Sequence, residues 1–102
     1  MKKIINGRKY DTETATEVYK WSNDYGMSNF NYEIEYLYIK KSGEYFIHGR
    51  GGAMSKYFKR SDGNTTCGGE NIIPLHGAEA FDWGSAKMPV EKFEAHFGEV
   101  AE

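Results

Sequence analysis

The sequence predicts an α+β fold: an antiparallel sheet of four or five strands with two C-terminal helices packed on one face. Three observations carry that expectation. Aromatic and β-branched runs with period-two alternation fill the first half of the chain, and the apolar spacing changes to i, i+3, i+4 after residue 77. A chain of 102 residues, 16% of them aromatic, also has the ring area that one small core requires. The predicted domain covers 1–102, with a hairpin-rich sheet over 1–48, a glycine-rich loop over 49–71, and a short strand and two helices over 72–102.

Asn6-Gly7, set between Lys3-Ile4-Ile5 and Arg8-Lys9-Tyr10, is a two-residue hairpin signal, since both turn positions need positive φ. Asp11-Thr12-Glu13-Thr14 reads as a polar turn. Residues 15–22 fit two periods, a strand with Glu17, Tyr19 and Trp21 on one face, or a helix with Ala15, Val18, Tyr19 and Ser22 in a stripe. The β-branched and aromatic content favours the strand. After an Asn-, Ser- and Gly-rich loop over 23–31, Tyr32 to Ile39 and Glu44 to His48 form a hairpin joined by Lys40-Lys41-Ser42-Gly43. Leu37 and Ile39 point one way, and Tyr36 and Tyr38 the other, so both faces call for cover, by the chain itself or by a partner. Glu33 and Glu35 share a strand face and are expected to meet solvent.

Six glycines punctuate Gly49 to Asn71, and Met54 to Lys59 within it suits a short strand or a helical turn. Ile72-Ile73 reads as a short strand stopped by Pro74. Gly77 to Lys87 pairs Ala78 with Phe81 and Ala80 with Trp83 at helical spacing, with Gly84 as an internal weak point. Pro89 suits the first turn of a second helix, whose stripe is Val90, Phe93 and Phe97 and whose stop is Gly98.

No apolar run approaches the length of a membrane span or of a signal peptide, and a single cysteine allows no internal disulfide. These features predict a cytoplasmic protein without membrane association. A formal charge of −2 excludes a whole-surface polycation and an extreme DNA mimic. The charge is uneven, however. Residues 1–66 hold 11 Lys+Arg against 8 Asp+Glu, while residues 67–102 hold two lysines against seven acids. Such a dipole steers a charged partner, although a solvated acidic helix surface beside an ordinary sheet surface has the same composition.

Motifs for chemistry are sparse. Gly49-Arg50-Gly51-Gly52 lacks the spacing of a phosphate loop and reads as a turn. His48, His76, His96 and Cys67 show no metal-ligand spacing, so neither a metal nor another cofactor is expected. Nothing joins a nucleophile to a base, and the reading is that the chain is not an enzyme and has no catalytic residues. Lys56-Tyr57-Phe58-Lys59-Arg60, with Lys40, Lys41 and Arg50, interleaves cations with rings as single-strand binders do. A solvated loop whose Tyr57 and Phe58 pack onto the sheet would show the same pattern.

Several phrases taken in order add a resemblance. They are Met1-Lys2-Lys3-Ile4-Ile5-Asn6-Gly7, Tyr10-Asp11-Thr12-Glu13-Thr14-Ala15, Leu37-Tyr38, Gly43, Tyr45-Phe46 and Gly51-Gly52 with Ser55-Lys56-Tyr57. Ile73-Pro74-Leu75, Glu79-Ala80, Trp83 and Phe97-Gly98-Glu99 follow. Together they resemble small phage and plasmid proteins of Gram-positive bacteria, some of them similar to type II-A anti-CRISPR proteins. The resemblance implies stoichiometric inhibition of a type II CRISPR RNA-guided nuclease or its guide-RNA complex, without turnover, in the bacterial host cytoplasm. The partner contacts expected on that basis are the acids Glu79, Asp82, Glu91 and Glu94, or else Lys56, Lys59 and Arg60 of a basic loop that touches nucleic acid. Alternatives are a small nucleic-acid-binding accessory protein and an interaction module of a mobile element, as monomer or homodimer.

Overall fold

The computed structural model describes residues 1–61, 63 and 65–101. Along the chain run β1 (Lys2–Ile5), β2 (Arg8–Asp11), β3 (Thr16–Ser22), β4 (Glu33–Ile39), β5 (Tyr45–Gly51), β6 (Lys59–Arg60), β7 (Thr66–Cys67), β8 (Gly69–Leu75), α1 (Gly77–Lys87) and α2 (Val90–Phe97). The main sheet has four strands in the order β3-β4-β5-β8, every pair antiparallel. Two small hairpins, β1-β2 and β6-β7, stand apart from it. The architecture is α+β, as the sequence predicts.

Local chemistry accounts for the framework. Asn6 and Gly7 take φ of 52° and 76°, the left-handed pair that a tight hairpin turn needs. Gly43 does the same at φ 91° in the β4–β5 connection, where Gly43 N–H donates to Lys40 C=O at 2.9 Å. In β3 the register shifts between Glu17 and Tyr19, and this bulge turns Val18 toward the helix-side cluster that Tyr19 and Trp21 also border. The extra residue explains why Val18 and Tyr19, adjacent in sequence, both fit one apolar stripe.

One face of the β4–β5 hairpin is covered by the chain itself, and the other is covered in part. On one side Leu37 and Ile47 pack with Ala80 of α1, flanked by Val18, Tyr45, Ile73, Leu75, Trp83 and Phe97. On the other, Phe46 and Ile72 pack under Tyr10 of the β1–β2 hairpin, with Tyr38 stacked on Phe46 at 5.1 Å. That hairpin is short and shields only one end of the face. Tyr36, His48 and Arg50, further along, stay half-buried.

Five expectations need correction. Pro74 does not stop its strand: β8 continues to Leu75 with Pro74 opposite Phe46, because β8 is an edge where a missing N–H loses no ladder bond. The segment 49–71 is not all loop, since β5 extends to Gly51, β8 starts at Gly69, and β6 pairs with β7 between them. Of Met54 to Lys59 only Lys59 is strand, and the rest is turns tied by Met54 N–H to Phe30 C=O (2.8 Å) and Phe58 N–H to Ser55 C=O (3.2 Å). Gly84 is no weak point, because a Cβ there would lie 2.9 Å from Phe97 and 3.1 Å from Phe93, so the missing side chain lets α2 approach. The α2 stripe narrows accordingly to Phe93 and Phe97, with Val90 70% exposed.

Gly49 is a second close approach. A Cβ at this position would fall 2.0 Å from Cζ of Tyr57, whose ring lies across the strand. Gly49→Ala is therefore expected to destabilise the fold by about 1–3 kcal/mol, as overpacking does. Gly26→Ala, where no neighbour comes closer than 4.0 Å, is the control. Urea denaturation of the two variants checks the contrast.

Candidate functional site

Glu33, Glu35, Leu37 and Ile39 occupy alternate positions of β4, and the latter three lie on the side that α1 covers. Glu35 is accordingly 1% exposed, against the expectation that it meets solvent. Burial of a carboxylate is tolerable only when every acceptor site is filled. Here Oε1 accepts from Trp83 Nε1 at 3.0 Å and from the Lys87 ammonium, while Oε2 accepts from Lys56 Nζ at 2.8 Å and from the Tyr57 hydroxyl. Lys87 also sits 4.0 Å from the centre of the Trp21 ring and 5.6 Å from that of Trp83. One carboxylate thus ties together β4, the turns after β5, and the C-terminal half of α1.

The electrostatics define what this cluster does. Burial alone would push the Glu35 carboxyl up, but the bonds from Lys56, Lys87, Tyr57 and Trp83 outweigh it and hold the group at about 2. Burial, and then the carboxylate that its hydroxyl donates to, push Tyr57 well above the usual phenol range. Neither group exchanges a proton near neutrality, so the arrangement is a brace and not an acid–base pair.

The residues expected to contact a partner separate into three environments. Lys56 is drawn into the brace, which a local reading of Lys56-Tyr57-Phe58-Lys59-Arg60 does not foresee. Tyr57 of the same run is buried and Phe58 is 44% exposed. Lys59 and Arg60 form β6 and are exposed. The acids sit on the helices. Glu79 accepts from the His76 N–H at 2.8 Å and so caps α1, Asp82 and Glu91 are exposed, and Glu94 accepts weakly from the Val100 N–H at 3.4 Å. None of these four acids forms an ion pair among the described residues. Glu102, which contributes to the acidity of the C-terminal third, lies outside the described residues.

Pairing of Lys87 with Glu35 also alters the charge that the helices present outward. Of the two lysines in the C-terminal third, only Lys92 is left to offset Glu79, Asp82, Glu91, Glu94 and Glu99.

The chain matches no protein-family model, no curated protein and no solved structure.

Two of the three histidines have side-chain partners of their own. His48 Nε2 lies 2.8 Å from Glu70, and His96 Nε2 lies 2.7 Å from the Tyr45 hydroxyl. Cys67 is an exposed free thiol. Among the described residues no three His, Cys, Asp or Glu side chains converge as metal ligands, and no helix is long and apolar enough to cross a membrane.

Proposed function

We propose that this protein is a mobile-element-encoded inhibitor of a type II CRISPR RNA-guided nuclease, acting in the bacterial cytoplasm by stoichiometric binding. The reading begins with the resemblance of the sequence phrases to type II-A anti-CRISPR proteins. The observation that carries it further is the helical layer, where Asp82 and Glu91 are exposed and, like Glu79 and Glu94, take part in no ion pair among the described residues while Lys87 turns inward. Such an effector holds its heteroduplex in a positively charged channel, and fixed carboxylates on a rigid helix pair compete there for the groups that otherwise bind phosphate. A net charge of −2 confines the mimicry to this layer. On this reading the protein needs no cofactor and turns nothing over.

Cleavage of target DNA by a purified, guide-loaded type II effector, titrated with this protein, tests the proposal. Cleavage should be lost near equimolar ratios. The loss should be greatest when the protein is added before DNA, since a bound target already fills the channel. Unchanged cleavage by type II effectors from several Gram-positive hosts would overturn it.

A further inference from the structure

The β1–β2 hairpin leaves half of the sheet's second face only partly covered, with Tyr36 and Arg50 half-buried, and that half has its own chemistry. Lys20, Tyr36 and His48 stand side by side in one cross-strand row, and Ser22, Ile34, Arg50 and Glu70 form the row beside it. The Tyr36 and His48 rings stack with centres 5.9 Å apart and 26° between planes, and Lys20 Nζ approaches the Tyr36 ring to 5.6 Å. Past them, Tyr32, Arg50, Lys59, Gly69 and Glu70 line a depression of about 290 Å³.

Arg50 is the anomaly on this face. It is half-buried, it forms no ion pair among the described residues, and its Nε is buried with no hydrogen-bond partner. The nearest acid in the row, Glu70, is occupied by His48 at 2.8 Å. A guanidinium whose Nε has lost water without gaining an acceptor suits an anion supplied from outside, and its planar fork matches phosphate. Lys59 lines the same depression as Arg50 and Glu70, and Lys20 stands one row away. Tyr32 and Tyr36 add π-surfaces held by strand β4 and the residue before it. Cations that alternate with rigid rings on an open sheet recognise unpaired bases and their phosphates.

From these features we infer that the open sheet face binds single-stranded RNA. A backbone phosphate sits between Arg50 and Lys59, and a base stacks at Tyr36 and His48. Glu70 favours RNA over DNA, because His48 fills only its Oε2, and the ribose 2′-hydroxyl provides a donor for Oε1 that deoxyribose lacks. This inference does not depend on the nuclease reading, for it concerns a different face and a different ligand.

Fluorescence anisotropy of a labelled oligouridylate, titrated with the protein over a salt series, tests it. Affinity should fall with rising salt on a log–log slope of about −1.4, from roughly 0.7 for each of two phosphates, one held by Arg50 and Lys59 and one by Lys20. Arg50→Gln and Lys59→Gln should each reduce both affinity and slope, and Tyr36→Leu should weaken binding about tenfold, the scale of one lost base stack. Lys59 is exposed, so its variant tests the site without challenging the fold, and Lys41→Gln, on the distant β4–β5 connection, should bind like the parent. Absence of binding at low salt would overturn the inference, as would parental affinity in the Arg50, Lys59 and Tyr36 variants. Equal affinity for oligothymidylate would overturn the assignment to RNA.

Discussion

Glu35→Gln should lower the folding stability of this chain by about 3 kcal/mol, the low end of what removing one partner of a buried ion pair costs. Glutamine keeps the volume but leaves one acceptor oxygen for four donors, and it strips the counter-charge from two ammonium groups. The loss falls at the low end because the Lys56 and Lys87 side chains, 52% and 22% exposed, can turn toward water. For a domain of this size the melting temperature should drop by about 15 °C. The pH dependence separates this account from a simple packing defect. A carboxyl held at about 2 when folded and near 4.5 when unfolded stabilises the fold fully above pH 4.5, and loses that contribution as pH falls toward 2. The parent and Glu35→Gln should therefore differ most at neutral pH and converge in acid. Parallel stability curves down to pH 2 would show that the carboxylate charge does not brace the fold.

The double variant Asp82→Lys/Glu91→Lys should weaken nuclease inhibition at least about a hundredfold, since like charges brought together at an interface cost several kcal/mol. Both side chains are exposed and free of ion pairs among the described residues, so reversal perturbs the partner more than the fold. Glu79 is a poor choice for the same test, because its carboxylate caps α1. Lys59→Glu/Arg60→Glu should inhibit like the parent. Titration of cleavage with each double variant, at two ionic strengths, makes the comparison. Full inhibition by Asp82→Lys/Glu91→Lys would remove the helical acids from the contact surface.

Wherever the determinants are local, the sequence already reveals the fold. Asn6-Gly7 sets its own turn, Gly77 to Lys87 marks the first helix, Gly98 stops the second while Pro89 caps it rather than joining its first turn, and the two-faced alternation of Tyr36, Leu37, Tyr38 and Ile39 announces cover on both sides. What covers the second face is not local, because Tyr10 reaches Phe46 only once β1–β2 folds over the sheet. Glu35 fails for the same reason. An acid in alternation with Glu33 looks solvated until lysines 21 and 52 positions downstream close on it. The one signal available was its row, in which Leu37 and Ile39 are apolar and Glu35 is therefore out of place. Arg50 was legible as part of a glycine-rich turn and as one of the cations that accompany the basic aromatic run, but its missing partner is a property of three-dimensional neighbours.

The brace also comes with a built-in optical probe. The chain has two tryptophans, and both adjoin Lys87, one of them also donating its indole N–H to Glu35. Indole emission responds in intensity and wavelength to nearby charge and to water, so the intrinsic fluorescence of the unlabelled protein reports the docking of α1 on the sheet. Stopped-flow mixing with urea, with acid or with a target can follow that contact directly, with no dye attached to either charged face.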